Sequence, residues 1–147
     1  MALAIILFPL AIDVYENDVV ERYNVTIKNK EEKFTFKYKT KPQLINVDAD
    51  KILLAQIKDE KSIDNYIYQY TMKSANYLDR RKAIEILAAD QDNKESYKTL
   101  TKALNDNYYG LRILALDKID VSKDKGVLKM VEKLATTDDK TLVRSKA

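Results

Sequence analysis

The sequence predicts an α+β protein whose two kinds of element are segregated. An antiparallel β meander spans residues 1–58, and α-hairpin repeats span 59–147. Three observations carry this reading. Apolar and polar residues alternate in the first third, as in strands with one wet face. After about Lys58 the apolar residues recur at helical spacing. A 32-residue internal repeat then runs through the helical part.

In the first region Leu10, Ile12 and Val14 fall on one side, as do Tyr23, Val25 and Ile27, and then Phe34, Phe36 and Tyr38. The segment Lys33–Lys39 alternates without a break and reads as a third strand. Polar breaks at Glu16-Asn17-Asp18 and at Asn29-Lys30-Glu31-Glu32 are short enough for hairpins, so the pairing is antiparallel. Pro42 follows the third strand, because proline cannot donate to a ladder. Leu44–Val47 and Lys51–Ile57 supply further strand, broken at Asp48-Ala49-Asp50, to give four or five strands in all. The apolar stretch Ala2–Leu10 lacks the basic flank and cleavage site of a signal peptide. It is also far shorter than the ~20 residues of a membrane span, and it reads as a buried strand.

In the second region Ser62 is placed to cap a helix with Ile63, Tyr66, Ile67 and Tyr70 on its inner face. Asp79 is placed to cap the next, which turns Ala83, Ile84, Leu87 and Ala88 inward. Asp92 and Glu95 have capping-box spacing ahead of Tyr97, Leu100 and Leu104. Further helices start near Tyr108 (Leu111, Leu114, Ala115, Ile119), Lys125 (Val127, Val131, Leu134) and Asp139. Short polar connections join them, which predicts antiparallel pairs. Arg80, Arg112 and Arg144 are spaced by 32, as are Ala83, Ala115 and Ala147, and the pairs Ala103/Ala135 and Asp106/Asp138. A two-helix unit of that length cannot bury its apolar face alone, so the units are expected to stack. The alanine lets helices approach closely, and the arginine three residues earlier can reach a carbonyl or an aspartate of the adjacent unit. No polar cap closes the last repeat and the N-terminus opens on apolar strand, so both ends read as internal to a longer protein.

Composition limits the chemistry. The 147 residues are 46% hydrophobic and 33% charged, ordinary for a globular chain. With no Cys and no His there is no thiol nucleophile, imidazole base or ordinary zinc site in this chain. With 2 Gly there is little room for a glycine-rich phosphate loop. The net charge of +3 is spread over both regions, unlike the concentrated positive face of a nucleic-acid binder. Neither nucleic acid nor membrane is expected as a partner, and the compartment is left open.

Each local constellation reads as structure. Asp48-Ala49-Asp50 with Asn46 offers oxygen ligands, but a calcium loop counted from Asp48 would put Leu53 where a glycine is needed and Asp59 where a glutamate is needed. A turn is expected there. Glu31-Glu32 reads as a solvated turn, since adjacent carboxylates do not flank a substrate bond. Tyr66 and Tyr70 belong to the apolar face, Tyr68 points away from it, and Tyr108-Tyr109 are expected at an interface or rim. Lys61-Ser62 and Ser145-Lys146 are neighbours in sequence, which sends helical side chains apart and forbids a dyad. The residues give no catalytic, cofactor-binding or metal site.

Several runs are more specific than packing requires. Pro9-Leu10-Ala11-Ile12-Asp13-Val14-Tyr15-Glu16-Asn17 and Lys39-Thr40-Lys41-Pro42-Gln43-Leu44-Ile45-Asn46-Val47-Asp48-Ala49-Asp50-Lys51-Ile52-Leu53-Leu54 resemble aminopeptidase N-type zinc metallopeptidases, the bacterial members above all. So do Asn76-Tyr77-Leu78-Asp79-Arg80-Arg81-Lys82-Ala83 and Asp106-Asn107-Tyr108-Tyr109-Gly110-Leu111-Arg112. The similarity covers nearly the whole chain. It is to the part of those enzymes that follows the catalytic domain, a small β-sandwich leading into a HEAT-like helical domain. The resemblance implies a non-catalytic accessory region, the sandwich bracing the catalytic domain and the helices beginning a cap over its cavity.

The parent enzyme would use zinc to remove N-terminal residues from peptides. This chain's partner would be the missing catalytic domain, with peptide substrates met only through it. The family's H-E-x-x-H and G-A-M-E-N-like segments do not occur here, so no catalytic or metal residue and no cofactor carries over. The strands are fewer than a complete sandwich needs, and an exposed edge and apolar face favour self-association. The alternative reading is a stand-alone HEAT-type protein-interaction module.

Overall fold

The computed structural model describes residues 8–147. The expected strand over Ala2–Leu10 lies outside them except for Phe8–Leu10, which open the first strand. Elements are segregated as anticipated, strands first and helices after. The chain forms two compact units, one ending at Lys61 and the other running from Ser62 to Ala147.

In the first unit β1 (Phe8–Glu16) and β2 (Val19–Ile27) form a hairpin closed by Asn17 and Asp18, both at positive φ. That two-residue turn matches strand twist, and Asn and Asp tolerate the left-handed region better than most side chains. It fixes the register, with Glu16 opposite Val19 and Asp13 opposite Arg22. Strand β3 (Leu44–Val47) pairs antiparallel with the other edge of β1, giving the order β2-β1-β3. Leu10, Ile12 and Val14 are buried on one face, with Tyr23, Val25, Ile27, Val47 and Leu53 packed against them.

Two expectations need correction. The sheet is antiparallel but not sequential, because β3 returns beside β1 rather than β2. It has three strands among the described residues: neither Lys33–Lys39 nor Lys51–Ile57 is a strand. β1 is paired on both sides, while the outer edges of β2 and β3 carry no further strand among the described residues. Of the three alternating aromatics only Phe36 joins the core, its ring centroid 4.4 Å from that of Tyr23, while Tyr38 is exposed. The end of this segment is tied down instead by the Glu16 carboxylate, which accepts from the N–H groups of Lys39 and Thr40. Alternation shows which side chains seek burial, not whether their backbone joins a ladder.

The second unit holds α1 (Ile63–Thr71), α2 (Tyr77–Leu87), α3 (Lys94–Ala103), α4 (Tyr109–Lys118), α5 (Lys125–Thr137) and α6 (Thr141–Lys146), with a 3-10 turn at Val121–Lys123. Within pairs α1 packs on α2, α3 on α4 and α5 on α6; α1 also meets α3, and α4 meets both α2 and α6. The N-caps of the first helices, Ser62, Asn93 and Asp124, are 31 apart, and those of the second, Asn76, Tyr108 and Lys140, are 32 apart. The inward positions read from the sequence form one core, in which Ala83, Ile84, Leu87, Leu100, Leu104, Leu111 and Ala115 are fully enclosed.

Ser62 caps α1 in a capping box with Asn65. The starts expected near Tyr108 and Lys125 agree with α4 and α5, whereas the caps of α2 and α3 are displaced. Asn76, not Asp79, caps α2, and Asp79 sits buried one turn in, its N–H bonded to the Asn76 side chain at 2.9 Å. Asn93, not Asp92, caps α3 by accepting from Glu95 and Ser96. The last helix begins at Thr141, two residues past the expected Asp139. At α2 and α3 two nearby Asx residues compete for the cap, and sequence pattern alone does not rank them.

Candidate functional site

The polar groups with the most unusual settings lie in two places: the loop after β3 and the turns of the helical pairs. The first is the loop that reads as a possible cation site. Asp48 is buried at positive φ, and its carboxylate accepts from the N–H groups of Ile52 and Leu53, both at 3.2 Å. Lys51, also at positive φ, folds back so that its Nζ donates to Asn46 Oδ1 at 2.8 Å, to the Asp48 carbonyl at 2.9 Å and to the Val47 carbonyl at 3.3 Å. The chain's own ammonium therefore stands where the oxygens converge. Among the described residues no group of three or more acidic side chains could hold a metal ion. Lys51→Met, which removes the three bonds, is expected to destabilise the protein by about 1–3 kcal/mol. Thermal unfolding with and without added calcium checks this, and calcium should not restore the loss.

Beside it, Arg22 binds Asp13 with two nitrogens, Nε to Oδ1 at 2.7 Å and Nη2 to Oδ2 at 2.9 Å, and reaches Asp50 with Nη1 at 2.9 Å. The Asp13 hydrogen bonds and charge push the Arg22 guanidinium pKa up. A groove of about 240 Å³ near the hairpin end is bounded by Val14, Glu16, Val19, Lys37 and Tyr38, and its Glu16 carboxylate is already engaged by Thr40 and Lys39.

In the helical unit Asp106 is a hub. Its carboxylate accepts Arg80 Nη1 at 2.7 Å on both oxygens, the Tyr70 hydroxyl at 3.0 Å and the Tyr108 N–H at 2.8 Å. Burial, and then the Asp106 charge, push the Tyr70 phenol pKa up, so it keeps the proton it donates. One unit further, Arg112 donates Nη2 to Asp138 at 2.7 Å and to Asp139 at 2.8 Å, and Nη1 to the Asp106 carbonyl at 3.0 Å. The hydrogen bond from Arg112 holds the Asp138 carboxyl below its usual range. At the opposite ends of the helices Gln91 clasps the next connection: its amide donates to the Lys118 carbonyl at 2.9 Å and accepts from the Asp120 N–H at 2.8 Å. Tyr97 adds a hydroxyl bond to the Asp120 carbonyl.

The remaining candidates fall apart as chemistry. Glu32 accepts from the N–H groups of Lys28 and Asn29 in its turn, and those bonds lower its pKa. Tyr66 and Tyr70 are buried and Tyr68 is half-buried. Lys61 pairs with Asp59 while Ser62 is a helix cap, and Lys146 pairs with Asp117 while Ser145 is exposed. Tyr77, Tyr108 and Tyr109 form an aromatic cluster, with centroids 5.2 and 5.1 Å apart, at the starts of α2 and α4. Gly110 leaves room for it, since a Cβ there would lie 2.6 Å from the Tyr108 ring. These arrangements fix register and turn geometry; none sets a nucleophile against a base. No family model, curated protein or solved structure matches the chain.

Proposed function

We propose that the chain is a non-catalytic accessory region of an aminopeptidase N-like zinc metallopeptidase. Its sheet unit is the brace of the catalytic domain, and its helical pairs are the start of a HEAT-like cap. One observation carries this: the residues on which the resemblance rests are the ones committed to register. Asp13, Asn46, Asp48 and Lys51 lie in the first two runs and organise the sheet unit. Asn76, Arg80, Asp106, Gly110 and Arg112 lie in the other two and supply a cap, the room for an aromatic ring and the arginine–aspartate pairs. Those side chains are spent on holding a scaffold, which suits a region that positions a neighbour's chemistry.

The parent reading frame is expected to encode H-E-x-x-H upstream of this segment. The chain alone is expected to bind no stoichiometric zinc and to hydrolyse no aminoacyl p-nitroanilide. Zinc at one equivalent by elemental analysis, or turnover that survives repurification, would overturn the proposal. A second reading, a stand-alone interaction module, draws on the Tyr77 and Tyr108 rings, 41% and 43% exposed. A natural gene with its own start and stop at these termini would favour it.

A further inference from the structure

The outer faces of α3 and α5 carry lysine at the same three places. Lys94, Lys98 and Lys102 stand four apart on α3, and Lys125, Lys129 and Lys133 stand four apart on α5, each 31 residues after its counterpart. Steps of four return to one side of a helix about every 6 Å. All six lysines are exposed. Leu100 and Ala103 of α3, and Val127 and Val131 of α5, are buried on the opposite sides of their helices in one core. The starts of the two helices are tied together, since Lys123, just ahead of α5, donates to the Asp92 carboxylate and to the Gln91 carbonyl, just ahead of α3. The corresponding positions of α1 are Ile63, Ile67 and Thr71, so the lysine face begins at α3.

Packing does not call for this pattern, and helix physics works against it. Lys94 and Lys125 are the first residues of their helices, the end at which the dipole disfavours a cation. Like charges four apart on a helix repel, and each row holds two such pairs. Two glutamates, Glu95 and Glu132, share these helices with the six lysines. Among the described residues the six make one ion pair, Lys98 with Glu95 at 3.3 Å. The neighbouring acids are committed to turns and caps: Asp106 and Asp138 bind arginines, Asp92 binds Lys123, and Asp124 caps α5. An even spread of charge along the sequence thus conceals a positive face in space.

We infer that this face of α3 and α5 binds the surface of an anionic lipid bilayer. Lysines are point charges on flexible stems, suited to headgroups that move laterally to meet them. Neither helix carries an arginine fork for bidentate recognition of bases or of a nucleic-acid backbone. Tyr97, the one aromatic of the two helices, is half-buried and bonded to the Asp120 carbonyl, which takes it away from base stacking. Leu128, 41% exposed between Lys125 and Lys129, supplies an apolar side chain for the headgroup layer. The contact is peripheral and electrostatic. It replaces the expectation of no membrane partner drawn from the charge spread, and it does not depend on the metallopeptidase reading.

Co-sedimentation of the chain with vesicles tests the inference. Phosphatidylcholine vesicles containing about 30% phosphatidylserine should bind it, and phosphatidylcholine alone should not. Raising the salt from about 0.05 M to about 0.5 M should release it, because screening shortens the reach of the field. The variant K98Q/K102Q/K129Q/K133Q should bind at least about a hundredfold more weakly, roughly fivefold for each lysine removed. Its urea midpoint should be no lower than that of the parent, since the like-charge pairs are relieved. The variant K28Q/K30Q/K33Q/K41Q, changed at exposed lysines of the sheet unit, alters the net charge equally and should lose less than about threefold.

Equal losses in the two variants would show attraction to net charge alone and overturn the inference. Absence of binding to the anionic vesicles, or equal binding to the neutral ones, overturns it as well. A mixed-sequence oligonucleotide held through the same four lysines, while the vesicles are not, would give the face to nucleic acid and sink the lipid assignment.

Discussion

Replacing Arg112 with alanine is expected to lower the free energy of unfolding by about 3–5 kcal/mol. The side chain is 10% exposed and donates to Asp138, Asp139 and the Asp106 carbonyl, so it ties α4 to the turns on both sides of it. Its removal leaves the Asp138 carboxylate, 5% exposed, with the Lys140 N–H but without its cation. The loss should exceed that of any exposed pair, such as Arg81 with Glu85, for which about 0.5 kcal/mol is typical. Arg112→Met combined with Asp138→Leu should recover most of the stability, because an apolar pair of similar volume leaves no charge stranded.

Acid titration checks the same interaction. Because Arg112 lowers the folded-state pKa of Asp138, the stabilisation is present above the unfolded carboxyl value of about 3.9 and is lost as pH falls through the folded value. In Arg112→Ala that part of the acid dependence should disappear. A variant that loses less than about 1 kcal/mol and keeps the wild-type acid profile would show that the pair contributes nothing to register.

Asp106→Ala is expected to cost about 3 kcal/mol. It strips partners from Arg80, from the Tyr70 hydroxyl and from the Tyr108 N–H at the start of α4. Asp106→Asn keeps the shape and part of the hydrogen bonding, and should lose roughly half as much. Combining Asp106→Ala with Arg80→Ala should cost less than the sum of the two singles, since both changes break one shared interaction. Additive losses in guanidinium unfolding would mean that the two residues act separately.

The helical unit was more legible than the sheet unit, for a physical reason. Helix faces declare themselves over eight or more residues through local spacing, and the arginine–aspartate rungs lay in the sequence as two residue types with one shared period. Arg80 and Asp106, or Arg112 and Asp138, could have been paired on that ground alone. The Asp13–Arg22 contact was also within reach, since a two-residue turn at Asn17-Asp18 sets those positions opposite each other. Strand pairing is decided at a distance: nothing local to Phe34, Phe36 and Tyr38 tells that Phe36 packs on Tyr23 without its segment joining a ladder. The Gln91 clasp and the folded-back Lys51 were invisible for the same reason, because each depends on where carbonyls of other turns arrive.

The ammonium held in the loop at 46–51 has a consequence for how this region matures. A cation tethered by its own side chain cannot be diluted, exchanged or stripped, and it meets its oxygens at an effective concentration no free ion reaches. Chelators that would empty a catalytic zinc centre should leave this loop untouched. The loop can therefore take and keep its form whether or not a divalent ion is present in solution.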